Sequence, residues 1–297
     1  MDHMTATALE RQQSRTSGGY WFAIAGLLAL AIPTFVTLGR QVWSAEGGVH
    51  GPIVLATGAW MLARQRSSIE ALRAPGNLAV GGLLLLASLI LYSLGRIFDF
   101  ISIETLGLVG AVISAGYLYF GGRALRAAWF PVLWLFFLVP PPGWAVDRVT
   151  APLKEFVSYA ATGFLSWLDY PILRQGVTLF VGPYQLLVED ACSGLRSLSS
   201  LVVVTLLYIY IKNKPSWRYA LFIAALVIPV AVLTNILRII ILVLITYHMG
   251  DEAAQSFLHV STGMVMFVVA LLCIFAIDWA VEQTQLFLRR RSHVQPA

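Results

Sequence analysis

Three side chains have the types that covalent acyl chemistry needs: the thiol of Cys192, the guanidinium of Arg238 and the imidazole of His259. A Cys–His pair supplies a nucleophile and the base that takes its proton, and a fixed guanidinium stabilises a developing oxyanion where water is scarce. Cys192 stands where an apolar helix is expected to begin. A helix N-terminus favours the thiolate, Arg196 one turn on adds to that, and Glu189 opposes it. A cysteine alone also serves as a small buried hydrophobe, a description that fits Cys273 between Leu271, Leu272, Ile274 and Phe275. Arg238 lies inside an apolar segment with Asn235 one turn earlier on the same face. A charge at membrane depth costs at least about 2.5–3.5 kcal/mol and marks function by default; the other reading is a buried arginine satisfied by backbone carbonyls.

His259 precedes Ser261, Thr262 and Gly263 at the start of another apolar run, and His248 is a competing base. Asp278, near the far end of that run, is expected to face lipid headgroups. No other catalytic set is evident: the chain lacks a phosphate-binding glycine loop, a His-Glu-x-x-His zinc pattern and a Gly-x-Ser-x-Gly elbow. With five His and two Cys, and no clustered acids, neither a metal nor a cofactor is expected.

These residues need a scaffold, and composition says which kind. Of 297 residues 58% are hydrophobic and only 12% charged, about half the charge of a soluble domain. That points to an all-α polytopic membrane protein and excludes disorder and a disulfide framework. A window of about 19 residues finds about eight spans. They lie near Tyr20 to Leu38, His50 to Leu62, Leu78 to Leu94, Thr105 to Phe120, Phe130 to Val139, Leu195 to Ile211, Tyr219 to Tyr247 and His259 to Ala280. The second and fifth are short enough to be tilted or partly re-entrant. The seventh is long, and Pro229 either kinks it or divides it into two half-helices.

Short cytoplasmic loops collect Lys and Arg. With the N-terminus inside, Arg11, Arg15, Arg64, Arg66, Arg73, Arg123, Arg126, Lys212, Lys214, Arg218, Arg289, Arg290 and Arg291 are cytoplasmic, and only Arg40, Arg96, Arg148, Lys154 and Arg174 face outward. This split puts both termini in the cytoplasm and Cys192, Arg238 and His259 in the outer half of the bilayer. It accounts for the net charge of +5 without a nucleic-acid partner. The chain divides into a tail over 1–19, a single membrane domain over 20–284 and a basic tail over 285–297.

The longest polar stretch, about 140–191, becomes an outer loop. After Pro140, Pro141, Pro142 and Gly143, an apolar set at helical spacing (Val146, Val149, Leu153, Phe156, Ala160, Phe164) opposes Asp147, Arg148, Lys154 and Glu155. That pattern predicts an amphipathic helix lying in the membrane interface. Val177 to Val181 and Gln185 to Glu189 flank Gly182-Pro183, which predicts a short β-hairpin leading into Cys192.

At three blocks the chain resembles the exosortase and archaeosortase family of membrane-embedded cysteine transpeptidases. These are Glu189-Asp190-Ala191-Cys192-Ser193-Gly194-Leu195-Arg196-Ser197, Asn235-Ile236-Leu237-Arg238, and His259 with Gly263; His50-Gly51-Pro52 resembles the family's early second span. The resemblance implies that Cys192, Arg238 and His259 are catalytic, with Glu189, Ser193, Gly194, Arg196, Asn235 and Gly263 supporting them or the substrate. It implies substrates that are membrane-anchored proteins ending in a Pro-Glu-Pro motif, a transmembrane helix and a basic tail. Cleavage would pass through an acyl-enzyme that goes to an amine acceptor or to water, at the outer face of a bacterial inner membrane and in company with exopolysaccharide production. The competing reading is a polytopic transporter or scaffold for polysaccharide export, in which Arg238 lines a path and Cys192 is incidental. A lipid-linked acyl or glycosyl transferase would need acidic or His–Asp pairs, which are not found beyond Glu189, Asp190, Asp251 and Glu252.

Overall fold

The computed structural model describes residues 21–44, 50–187, 197–212, 217–250, 252–254 and 262–292. They are mostly helical and fall into two compact units, one covering Gly51–Pro142 with the N-terminal helix, the other Gly143–Ala297 with Glu46–His50.

In the first unit, α1 (Trp21–Trp43) ends in a π-helical turn, Gly39–Trp43. It is followed by α2 (His50–Arg64), the short α3 (Arg66–Ala71), α4 (Leu78–Ile97), α5 (Ile101–Ala127) and α6 (Trp129–Trp134), which runs into a 3-10 turn, Leu135–Leu138. Asn77 begins α4 by accepting hydrogen bonds from the amides of Ala79 and Val80 (2.9 and 3.2 Å), satisfying two amides that a helix start leaves open. The α4 and α5 helices pack closely because small residues let their backbones approach: a Cβ on Gly107 would collide with the backbone of Tyr92, and one on Gly95 with that of Glu104. Gly121, at φ +82°, breaks α5 and releases carbonyls of the preceding turn. Phe120 and Leu118 then accept from the amides of Ala74 and Gly76 (3.1 and 3.3 Å). Outward-facing side chains of α1 and α4 are large and apolar: Phe22 is 82% exposed, and Leu83, Leu86, Ile90 and Leu94 are exposed too. A soluble protein does not expose such a band; a bilayer covers it.

The second unit contains α7 (Gly143–Trp167), three strands, α8 (Ser197–Lys212), α9 (Trp217–Met249) and α10 (Thr262–Ser292). Strands β1 (Ile172–Gln175), β2 (Thr178–Val181) and β3 (Tyr184–Leu187) form an antiparallel meander. The expected hairpin around Gly182-Pro183 is β2–β3, with Val181 opposite Tyr184. Strand β1 is an addition, with Gln175 opposite Thr178. Both two-residue turns begin with a glycine at positive φ, Gly176 at 63° and Gly182 at 57°, as primed hairpin turns require.

Helix α7 buries Val157, Ala161 and Leu165 together with Leu179, Val181 and Leu186 of the sheet and Ile239, Leu242 and Val243 of α9. Its small residues thus face the protein, while Val149, Phe156 and Phe164 of the expected apolar set are exposed. The α9 helix is continuous through Pro229 rather than two half-helices.

Four helices among the described residues are long and apolar enough to cross a membrane: α1, α4, α5 and most of α9. A fifth span results if Trp129–Leu138 and Gly143–Trp167 form one broken crossing. The protein is therefore multi-pass.

Candidate active site

Helix α9 carries the charge expected at membrane depth. At helical spacing, Ile223, Val227, Val230, Thr234 and Arg238 form one buried stripe, while Leu221, Phe222, Ile228, Leu233 and Leu237 face outward. Arg238 is 1% exposed and Asn235 4% exposed, and both side chains have interaction partners. Thr234, on the same stripe, bonds back to the carbonyls of Val230 (2.9 Å) and Ala231 (3.1 Å) and so brings no unsatisfied hydroxyl into the core.

The surroundings of this pair are asymmetric along α9. Toward the helix N-terminus, Ile223, Val227, Val230 and Ala231 pack with Leu201 of α8 and with Ala270 and Ile274 of α10. Toward its C-terminus, Ile239, Leu242 and Val243 pack with α7, the sheet and Ala254. Asn235 and Arg238 therefore sit where two apolar clusters meet, and a guanidinium held there stays charged because arginine does not give up its proton in proteins.

Of the other sequence-derived candidates, Glu189, Cys192, Ser193, Gly194, Arg196 and His259 lie outside the described residues. Gly263 lies in the first turn of α10. The α8 helix starts five residues after Cys192 and α10 three residues after His259, and both pack against α9. His248, the competing base, is exposed at the C-terminal end of α9, where its Nε2 lies 3.1 Å from the Tyr170 hydroxyl and its ring stands edge-on to Tyr170 and Tyr247. That places it roughly 15 Å along the helix from Arg238. His50, which belongs to the second unit, lies with its Nδ1 3.0 Å from Ser200 Oγ of α8. Cys273 is partly buried among apolar neighbours of α10, as a small hydrophobe is.

One expectation is corrected. Asp278 does not face headgroups: it is 0% exposed. It accepts hydrogen bonds from the hydroxyls of Tyr208 on α8 and Tyr219 on α9, each 2.5 Å, and an ion pair from Lys212 of α8, which also reaches Glu282 at 2.8 Å. Three donors replace the water that a buried carboxylate loses. The signal was present in the sequence as Tyr208, Lys212 and Tyr219 near the ends of their runs, but nothing along the chain pairs them with Asp278.

Glu104 was also missed. It is 2% exposed in the first unit, and its Oε1 accepts from Thr34 Oγ1 at 2.7 Å and Arg96 Nη1 at 3.0 Å. The Tyr92 hydroxyl lies beside them, 3.3 Å from Thr34 Oγ1 and 3.1 Å from the Leu30 carbonyl to which it donates. An isolated Glu one turn into an apolar run was the available clue. No group of three or more His, Cys, Asp or Glu suited to a metal occurs among the described residues.

Comparison with known proteins agrees with the residue pattern. No match is found among curated proteins or among solved structures. A family model described as transmembrane exosortase does match, over residues 42–276, which takes in both the buried Asn235 and Arg238 pair and the segments that precede α8 and α10. A multi-pass helical chain with that pattern over most of its length belongs to the transmembrane exosortase family.

Proposed function

We propose that this protein is a membrane-embedded cysteine transpeptidase that cleaves C-terminal sorting signals of the Pro-Glu-Pro type. The observation that supports the reading is where the described residues flanking two connections lie. The chain leaves β3 in the cluster that holds Leu186 and Ile239, and enters α8, whose Leu201 lies in the other cluster. It leaves Ala254 in the first cluster and enters α10, whose Ala270 lies in the second. Cys192 is in the first connection and His259 in the second, and Asn235 and Arg238 mark the junction of the two clusters. The described residues that flank each connection thus belong to the same two clusters.

In the proposed reaction His259 takes the Cys192 proton and the thiolate attacks a backbone carbonyl of the substrate. The tetrahedral oxyanion is held by the Arg238 guanidinium, two of whose N–H groups can donate to its single oxygen. Collapse breaks the C–N bond, His259 returns the proton to the leaving amine, and an acyl-enzyme remains for an amine acceptor or water. Asn235 orients Arg238. Glu189, Ser193, Gly194, Arg196 and Gly263 have supporting or substrate-binding roles in this reading.

The domain of about 20–284 has eight spans in this reading, with both termini cytoplasmic and the site toward the outer face of a bacterial inner membrane. The α7 helix lies in the outer interface, and the substrates belong to surfaces rich in exopolysaccharide.

The test is co-expression with a reporter ending in a Pro-Glu-Pro motif, a transmembrane helix and a basic tail, compared between wild type and Cys192→Ala by gel shift and terminal mass. A shortened product in wild type alone is the expected result. Identical product from both removes Cys192 as nucleophile and favours the transport or scaffold reading.

A further inference from the structure

The Asp278 cluster lies at the opposite end of α9 from the proposed chemistry, yet it joins the three helices that the chemistry needs. Tyr208 and Lys212 belong to α8, Tyr219 to α9, and Asp278 and Glu282 to α10. Among the described residues these helices also touch through apolar side chains, Leu201, Ile223, Val227, Ala270 and Ile274, whose contacts are non-directional and fix rotation less sharply than hydrogen bonds do. Hydrogen bonds to a buried carboxylate are directional, so a turn of any one helix breaks them.

The stripe on α9 shows what this rotation controls. Tyr219, Ile223, Val227, Val230, Thr234 and Arg238 follow one another at steps of three and four residues, a line that drifts by about 100° around the helix from first to last, and Tyr219 and Arg238 turn together because the helix between them is unbroken. A rotation that carried Arg238 out of its junction would pull Tyr219 away from Asp278. The two are about 28 Å apart along the axis, with continuous helix between them. On α10, Asp278, Ile274 and Ala270 form the matching buried stripe.

We infer that Asp278 is a positioning residue for the reaction proposed above: by binding Tyr208, Lys212 and Tyr219 it sets the rotation of α8 and α10 about α9 and so holds Arg238 in the reacting junction. The inference rests on that reading of Cys192 and Arg238, and the experiment separates the two.

Wild type, Cys192→Ala, Asp278→Asn, the milder Tyr219→Phe and the exchange Lys212→Asp with Asp278→Lys are purified in lipid nanodiscs. Two quantities are measured. One is amide hydrogen exchange of peptides covering 230–240, which needs no activity. The other is kcat and KM on the signal-bearing reporter, per centre titrated by a small thiol reagent that modifies Cys192. The expected result is faster exchange around Arg238 in Asp278→Asn, with kcat per centre lower by about tenfold or more and KM changed little. Tyr219→Phe shows a smaller change of the same kind, and the exchange variant recovers part of the loss.

Wild-type exchange over 230–240 in both Asp278→Asn and Tyr219→Phe overturns the inference whatever the activity. Faster exchange with an unchanged kcat per centre also overturns it, because a purely structural residue lowers the number of folded centres and not the turnover of each. Product formation by Cys192→Ala is a separate result: it rejects the cysteine mechanism itself.

Discussion

Arg238 carries a permanent charge into a place with almost no water, and that fact governs what its substitution does. Lysine keeps the charge but replaces a planar fork with a point, so Arg238→Lys is expected to process the reporter at no more than about 1% of the wild-type rate, assuming the fork holds an oxyanion. Wild-type processing in that variant, measured by the same terminal-mass assay, would leave only a simple charge role. Cys273→Ala removes a partly buried thiol far along α10 and is expected to process normally. Glu104 behaves differently because its partners are unequal: Thr34 is buried with it, whereas the Arg96 side chain is 46% exposed. Glu104→Ala leaves the Thr34 hydroxyl its bond to the Leu30 carbonyl (3.0 Å) and leaves Arg96 access to water, so the expected loss is small, about 0.5–1.5 kcal/mol. Asp278→Ala removes the common acceptor of the Tyr208 and Tyr219 hydroxyls and leaves Lys212, only 26% exposed, with Glu282 alone, so the expected loss is larger, about 2–4 kcal/mol. Chemical denaturation of the two variants in one detergent tests that order.

At the scale of elements, the α4–α5 hairpin depends on glycines whose neighbours are backbone and therefore cannot rotate away. Gly107→Val sets a branched side chain against the Tyr92 backbone and is expected to separate the helices, with loss of monodisperse protein on size exclusion. Gly82→Val, on the same hairpin but with open space around it, is the control and should purify as wild type does. The sheet shows how local chemistry outruns periodicity. Strand β1 is only four residues, Ile172-Leu173-Arg174-Gln175, and its alternation of half-buried and exposed side chains is too brief to stand out beside the hairpin that follows. Gly176 completes it by turning the chain back onto β2. In α9, Pro229 removes one amide from the helix ladder, yet the helix runs on because flanking side chains of its buried stripe, Val227, Val230 and Ala231, pack into one cluster.

For the whole molecule, orientation follows from where basic residues gather. A cysteine at exposed Ser166 of α7 and one at exposed Ser67 of α3, each in a chain with Cys192 and Cys273 replaced by Ala, give opposite expectations. A membrane-impermeant maleimide should modify the first in intact spheroplasts and the second only after permeabilisation. The reverse pattern would invert the topology and move the proposed chemistry to the cytoplasmic side. Each unit has its own buried carboxylate: Glu104 ties α1 to α4 and α5 in the first, and Asp278 ties α8, α9 and α10 in the second. Apolar helices in lipid gain little by burying apolar surface against one another, so directional polar ties carry much of the specificity of packing.

The sequence by itself determined the membrane class, most helix positions, the hairpin at Gly182-Pro183, the Asn235–Arg238 pair as a buried polar step and the exosortase pattern. These are local properties: hydropathy over one span, glycine at a turn, a charge out of keeping with its neighbours. The tertiary structure decided the rest. It continued α9 through Pro229, turned α7 so that Ala161 rather than Phe156 faces the protein, and made Asp278 a buried acceptor for residues roughly 60 to 70 positions away. Hydropathy assigns a carboxylate near a helix end to the headgroups, because water is the cheapest partner it can see. Three donors from other helices become a better partner only once the chain is folded, and no pattern along a single span contains them.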